Sequence, residues 1–342
     1  MRTVISDLLL DIASEKNGYS IGKPWRFTEH SLAAVVPIIR VTKDTRNYRL
    51  LSEVKNLVKI KDTGHIDKIE LINRDEYPVL IKSGEILEGG TQTRTVTVSQ
   101  IVMPQEKVVL DCACVYSSKG IMSGQDMAPS VYSPMPVRRK VFQGHYTSGK
   151  LDNLSSDLYR YDSKIQQDIW ASVNQHSQSS ARGFSAFAAD VGEAPIIGSI
   201  SYATPEQDLA GRITETQDKY KDVLKEVPKL DNQVGICLLT MSGLESMESF
   251  NHPESWEAIR KAILGSDVSS IADISDQDGL FEFREDKAKS IVRELLEKEY
   301  SEKVAVEKEG TATYILDEEK FMGEVVTLYD RPIHCAFLKK AS

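Results

Sequence analysis

The sequence Gly84-Glu85-Ile86-Leu87-Glu88-Gly89-Gly90-Thr91-Gln92-Thr93-Arg94 joins two stretches that are typical of buried β-strands. It places acidic residues, a double glycine, a glutamine and an arginine inside a strongly apolar region. Polar residues at such a point indicate a special turn, a ligand site, or both. This stretch therefore guides both the fold prediction and the search for a site.

Side-chain alternation predicts that the arginine lies on the apolar face of the strand after the glycines. If that strand is regular from Gln92, then Gln92 and Arg94 share a face with Val96 and Val98, because successive side chains point to opposite faces. A guanidinium on this face needs a carboxylate or an anionic ligand, since burying an unpaired charge costs several kcal/mol.

The stretch has two interpretations. In the structural one, the double glycine forms a tight turn or bulge, and Arg94 is held by Glu85 or Glu88. In the functional one, Gln92 and Arg94 line a pocket for an anionic or amide-bearing ligand. The glycine spacing matches neither the dinucleotide-binding fingerprint nor the P-loop, so neither kind of phosphate-binding loop is predicted.

The surrounding chain predicts an α+β fold. Residues 30–115 form a β-rich N-terminal part in which short connections favour an antiparallel sheet or sandwich over βαβ units. Residues 116–150 are rich in Ser, Gly and Pro and are predicted to form a long loop that packs on the body. Residues 151–342 form a mixed helix and strand part that ends in a strand meander and packs with the first part as one unit.

Helical periodicity adds two further predictions. Residues 1–29 supply a docking helix and a lead-in, with an apolar stripe at Ile5, Leu8, Leu9 and Ile12. A second helix begins near residue 155, and Gln166 and Trp170 lie one turn apart on it. Trp170 is either a core residue or a platform on which a ligand stacks.

Composition excludes several classes of function. The 342-residue chain has a net charge of -9 and its longest basic run is Val137-Arg138-Arg139-Lys140, which argues against nucleic-acid or anionic-membrane binding. The four cysteines lie in apolar runs, so we expect buried thiols and no metal site. No cofactor motif is present. The N-terminus lacks a signal-peptide core, which predicts a cytoplasmic protein.

The same residues carry a resemblance to a known family. The segments are Glu70–Arg74, Pro78–Ile81, Gly84-Glu85, Gly89-Gly90-x-Gln92-x-Arg94, the strand that ends at Cys114, Gln166-x-x-x-Trp170, Gly235 and Phe250–Trp256. Together they resemble the ARG and rhodanese-phosphatase superfamily associated protein domain over residues 30 to 270. The family continues from the cysteine with an acidic residue and a Gly-Arg-Trp run, whereas this chain continues with Val115–Gly120.

The resemblance implies a link to ADP-ribose or nucleotide metabolism through the ADP-ribosylglycohydrolase and rhodanese-phosphatase proteins in the family's name. We expect the chain to bind or process an anionic small molecule at the Gly84–Arg94 stretch. The expected ligand-binding residues are Glu85, Glu88, Gly89, Gly90, Gln92, Arg94, Gln166 and Trp170. No motif assigns a reaction or a catalytic residue. The alternative is a non-catalytic scaffold or interaction module, and strand-rich edges are compatible with a homodimer.

Overall fold

The computed structural model describes residues 3–26, 33–65, 67–89, 93–115, 124–147, 166–173, 209–219, 221–271, 285–296 and 300–340. Its helices are α1 (Val4–Ala13), α2 (Met135–Thr147), α3 (described over 166–173), α4 (Leu209–Lys219), α5 (Lys221–Glu226), α6 (Pro253–Ile271) and α7 (Glu285–Leu296). A short 3-10 helix spans Leu51–Glu53. Among the described helices, none is long and apolar enough to cross a membrane.

The strands of the first half are β1 (Tyr19–Ile21), β2 (Trp25–Arg26), β3 (Ala33–Arg40), β4 (Arg49–Leu50), β5 (Val58–Asp62), β6 (Lys68–Asn73), β7 (Val79–Ile81), β8 (Glu85–Gly89), β9 (Arg94–Val96), β10 (Gln100–Val102), β11 (Lys107–Cys114) and β12 (Asp126–Tyr132). Those of the second half are β13 (Gln233–Thr240), β14 (Gly243–Phe250), β15 (Lys303–Lys308), β16 (Thr311–Asp317), β17 (Phe321–Leu328) and β18 (Arg331–Lys339).

These strands form three sheets. The large antiparallel sheet has the order β1-β3-β13-β14-β18-β17-β16-β15, with β2 also pairing with β3. Strands β11-β6-β5-β12-β8-β9 close into a barrel, and β10-β7-β4 form a small sheet. The predicted α+β class, the antiparallel pairing and the C-terminal meander are confirmed. Because β3 pairs with β13, the large sheet draws strands from both sides of the predicted loop.

Both faces of the large sheet are covered. Helices α1 and α7 pack on one face through apolar stripes that include Leu9, Ile12 and Val292. Helix α6, the small sheet and the barrel pack on the other face, where Trp256, Leu80 and Tyr132 join the same core cluster. The apolar residues of the second face therefore hold the barrel and the small sheet against the large one.

Two local predictions around the glycines are wrong. The expected turn contains the regular strand β8, and the expected single strand after Arg94 is divided into β9 and β10. The division follows from strand pairing, because β9 belongs to the barrel and β10 to the small sheet. Strand β9 pairs with β8 and with β11, and β10 pairs with β7.

The predicted loop over 116–150 is also wrong where the chain is described. Residues 126–132 form β12 in the barrel and residues 135–147 form α2. The sequence concealed the helix because Arg138 interrupts its buried face between Val137 and Val141. The strand was concealed by the irregularity between Pro129 and Tyr132, which breaks the two-residue alternation.

Candidate functional site

One end of the barrel carries three connections, which we call the barrel mouth: the hairpins 63–67 between β5 and β6 and 90–93 between β8 and β9, and the connection 115–125 between β11 and β12, which are not neighbours in the barrel. Strand register brings them together. Arg94 at the start of β9 is paired with Cys114 at the end of β11, and Gly89 at the end of β8 is paired with Met127. Residues 66, 90–92 and 116–123 lie outside the described part of the chain.

Arg94 lies inside the barrel just below this mouth and is fully enclosed. Its Nη2 donates to both carboxylate oxygens of Asp62 at 3.2 Å, and its Nη1 donates to the carbonyl of His65 at 2.7 Å. The prediction that Glu85 or Glu88 holds this guanidinium is wrong. The residue opposite Arg94 on β8 is Leu87, so the acids of that strand lie out of register with it.

Asp62 extends this pairing to the other two connections. Its Oδ1 also accepts from the backbone N–H of Gly64 at 2.9 Å. Its backbone carbonyl accepts from Gly124 at 2.7 Å, and its own N–H donates to the carbonyl of Gln125 at 2.9 Å. The side chains of Asp62 and Arg94 therefore hold Gly64 and His65, and the backbone of Asp62 holds Gly124 and Gln125, beside the start of β9.

Gln166 brings α3 to the same place. Its Oε1 accepts from the backbone N–H of Cys114 at 3.0 Å, and its Nε2 donates to the backbone carbonyl of the same residue. Cys114 is the residue paired with Arg94, so the amide holds β11 beside the buried ion pair. The structure thus brings together Arg94 and Gln166, which the sequence singled out separately, and it uses both side chains in internal contacts.

Trp170 lies one turn after Gln166 and is half-buried. Its indole Nε1 is enclosed and has no hydrogen-bond partner among the residues that the structure describes. A buried donor without an acceptor is uncommon in folded proteins. Among the expected ligand residues, Trp170 therefore offers a donor from which no described residue accepts, one turn after the residue that binds Cys114.

Of the remaining residues that we expect at the mouth, the structure describes Glu88 and Gly89. Glu88 is half-buried on β8, and Gly89 follows it with a φ of 103°. A Cβ on Gly89 would lie 2.6 Å from the carbonyl oxygen of Asp126, so the close approach of β12 requires glycine. Gly90 and Gln92 lie outside the described residues.

Glu85 lies at the opposite end of β8, in a group that sequence reasoning missed. We call this group the junction cluster, because it lies where the barrel and the small sheet meet the large sheet. All its side chains are at most 5% exposed. Its members are Lys82, Glu85, Tyr132, Arg138, Glu248, Asp267, Glu324 and His334. In the sequence, the charged members of this cluster are single charges inside apolar runs. They lie far apart along the chain, so the sequence alone does not show that they form one group.

Glu248 of β14 is the central anion of the junction cluster. Lys82 forms an ion pair with its carboxylate, His334 Nε2 lies 3.0 Å away and Arg138 Nη1 lies 3.5 Å away. The Tyr132 hydroxyl donates to it at 3.4 Å. Burial acts to raise the pKa of Glu248, but Lys82, His334 and Arg138 outweigh it and lower that pKa to about 2.

Two other carboxyl groups of the cluster have the opposite shift. Burial raises the pKa of Glu85 to about 7 despite nearby Lys82, and burial raises the pKa of Glu324 to about 7 despite hydrogen bonds from Ser99. Burial also lowers the pKa of His334. Carboxyl groups with divergent pKa values in one enclosed cluster are typical of functional sites, although structural ion networks also produce them.

The cations of the cluster share the ring of Tyr132. Lys82 Nζ lies 4.1 Å and Arg138 Cζ lies 4.7 Å from its centroid. Arg138 also forms an ion pair with Asp267 of α6. Gly84, with a φ of 86°, makes room for Arg138, because a Cβ there would lie 3.0 Å from its Cδ.

Neither metal nor thiol chemistry has a built site in the described part of the chain. No group of three or more His, Cys, Asp or Glu side chains there is placed to hold a metal ion. All four cysteines are buried, and burial raises the pKa of Cys112 and of Cys237 to about 12. Thiols with such pKa values are not reactive thiolates at neutral pH.

Fold and site together define an α+β protein with a closed barrel packed on a large antiparallel sheet, and with buried charge at both ends of the β8–β9 hairpin. The chain belongs to the ARG and Rhodanese-Phosphatase-superfamily-associated Protein domain family, whose model matches residues 18–338. A search of curated proteins and a search of solved structures gave no significant match. The resemblance inferred from the motifs is thereby confirmed over nearly the whole chain.

Proposed function

We propose that this protein binds an anionic small molecule, of the ADP-ribose-like or nucleotide-derived class, at the barrel mouth. The observation that carries the proposal is that Asp62 and Arg94 hold described residues of the 63–67 and 115–125 connections beside the start of β9. Mouths of β-barrels are common ligand sites, and a binding constellation needs loops held in place by fixed supporting contacts.

In this proposal Arg94 is a positioning residue rather than a ligand contact, because its guanidinium is enclosed by protein groups. Contacts with the ligand come from the connections above it, with Gln92 and Glu88 as the candidates on the β8–β9 hairpin. Trp170 supplies the indole Nε1 donor and a ring on which a base stacks. The ligand class is taken from the association that the family's description records.

Thermal denaturation with a ligand panel tests the proposal. The panel is ADP-ribose, ADP, AMP, ribose 5-phosphate and inorganic phosphate. A ligand present at a hundredfold excess over its Kd stabilises the folded state by about 2.7 kcal/mol, which is readily measured. Trp170→Phe keeps the ring and removes the donor, so we expect weaker binding. Gln167→Ala, on the exposed side of the same helix, is the matched control. If no member of the panel raises the Tm, the proposal fails.

A second candidate function is a non-catalytic scaffold or interaction module, and one observation favours it. The described contacts of Arg94 and Gln166 are internal, as a purely structural motif requires. Under this alternative no ligand of the panel changes the Tm of the wild type, of Trp170→Phe or of Gln167→Ala. A ligand-dependent Tm that Trp170→Phe abolishes excludes it.

A further inference from the structure

The two sides of the junction cluster are chemically complementary. The large sheet contributes the carboxylate acceptors Glu248 and Glu324. The barrel side, which we define as the barrel with the small sheet beside it, contributes donors. Lys82 pairs with Glu248, while the backbone N–H of Ser99 donates to Glu324 at 3.1 Å and its hydroxyl donates to the other oxygen. Charge and hydrogen bonds therefore connect the barrel side to the sheet.

The fixed charges of this enclosed cluster do not balance when every carboxyl group is ionised. Lys82 and Arg138 are balanced by their ion-pair partners Glu248 and Asp267. Glu85 accepts a backbone hydrogen bond from Lys82, and Glu324 accepts two hydrogen bonds from Ser99, but neither forms an ion pair within the described residues. Two further buried negative charges would be uncompensated, which is costly at low dielectric.

We propose that Glu85 and Glu324 make the docking of the barrel side on the large sheet depend on pH. With both carboxyl groups protonated the junction is electrically balanced and closed. When both ionise, like charges accumulate around Glu248 and the contact weakens. The proposal concerns a regulatory device in the fold, and it does not rest on the ligand site at the barrel mouth.

The direction of the effect follows from linkage. The folded-state pKa values of Glu85 and Glu324 lie above the ordinary value of 4.5, so each contributes stability that is present below about pH 4.5 and lost as pH rises to about 7. His334 acts in the opposite direction, since burial lowers its pKa and it resists protonation in the folded state. Lys82, Arg138, Tyr132, Glu248 and Asp267 face the same space and hold their ion pairs and hydrogen bonds.

Hydrogen exchange measured by mass spectrometry between pH 5 and 8, corrected for the intrinsic pH dependence of exchange, tests the proposal. Peptides covering 79–89 and 321–328 report the junction, and a peptide covering 4–13 on the opposite face of the sheet is the internal reference. For each carboxyl group that ionises, we expect the wild-type opening constant at the junction to rise by up to tenfold per pH unit. The reference peptide should not follow.

Glu85→Gln and Glu324→Gln imitate the protonated carboxyl group in size and neutrality. We expect each variant to reduce the rise of the opening constant with pH, and the double variant to remove that rise and leave only the opposite dependence that His334 contributes. Glu307→Gln, an exposed change on the sheet edge, should keep the wild-type slope. A wild-type junction that is flat over this range overturns the proposal, and so do Gln variants that keep the wild-type slope. If the double variant does not fold, the two single variants and the wild-type slope decide.

Discussion

Asp62 and Arg94 are separated by 32 residues along the chain and form an ion pair in which both side chains are fully enclosed. The pair lies within an otherwise apolar barrel core, at the level of the barrel mouth. Buried ion pairs contribute little net stability compared with apolar replacements, but removing one partner is strongly destabilising. The energetic role of this pair is therefore to fix geometry at the barrel mouth.

A double-mutant cycle measures that role. Arg94→Met leaves the Asp62 carboxylate without its cation, and Asp62→Asn removes the charge but keeps an oxygen for the N–H of Gly64. We expect Arg94→Met to cost about 3–5 kcal/mol in urea unfolding. The double variant should lose less than the sum of the single losses, with a coupling energy of about 1–3 kcal/mol. Additive losses would show that the two side chains do not stabilise each other.

Sequence reasoning placed Arg94 on the core face of its strand correctly but assigned its partner wrongly. Side-chain alternation is a local property, so it fixed the direction of the guanidinium. The identity of the partner of Arg94 depends on closure of the barrel, which brings Asp62 of β5 to Arg94 of β9. Asp62 could not be distinguished from other acids of the chain without that closure.

The amide of Gln166 is expected to stabilise the end of β11. Gln166→Ala removes both hydrogen bonds to the backbone of Cys114, and lost bonds to buried backbone groups cost about 1–3 kcal/mol. Gln167→Ala is the matched control, because its side chain is exposed on the same helix, and it should change stability by less than about 0.5 kcal/mol. Chemical denaturation compares the two. Equal losses would contradict the assigned role of Gln166.

Alanine substitutions at Gly84 and Gly124 distinguish the destabilisation caused by backbone strain from that caused by crowding of side chains. Both have a positive φ, 86° and 82°, so alanine is strained at either position by about 1–3 kcal/mol. At Gly84 a Cβ would also meet the side chains of Arg138 and Tyr132 at 3.0–3.1 Å, whereas at Gly124 it meets no atom of a described residue within 4 Å. We therefore expect Gly84→Ala to be the more destabilising in urea titrations. If Gly124→Ala costs as much or more, Arg138 does not pack tightly on this turn.

The junction cluster shows why part of the fold and of the site could not be predicted. The sequence predicts some elements because one face of each is apolar. These are the helices α1 and α7, through their apolar stripes, and the strands β5 and β6, through alternation. Helix α2 could not be predicted in this way, because Arg138 lies on its buried face and interrupts the apolar pattern. That charge is tolerated only beside Asp267 and Glu248, which follow more than a hundred residues later.

Glu248 is expected to control stability in acid. Its folded-state pKa of about 2 lies below the ordinary 4.5, so its contribution is present above pH 4.5 and is lost as pH falls towards 2. The shift corresponds to roughly 3 kcal/mol. Glu248→Gln should remove this part of the acid dependence, and it should destabilise the protein by about 3–5 kcal/mol at pH 6 because Lys82 loses its carboxylate.

The matched control for Glu248→Gln is Glu257→Gln. Glu257 is an exposed residue of α6 that forms an ion pair with Lys229. Surface pairs of this kind contribute about 0–1 kcal/mol, so this variant should keep the wild-type profile. Unfolding free energies from urea titrations at pH 3, 4, 5 and 6 give the slopes. Because unfolded carboxyl groups take up protons throughout this range, only the difference between the two variants isolates Glu248. A Glu248→Gln profile parallel to that of the control would mean that Lys82, Arg138 and His334 do not hold this carboxylate ionised.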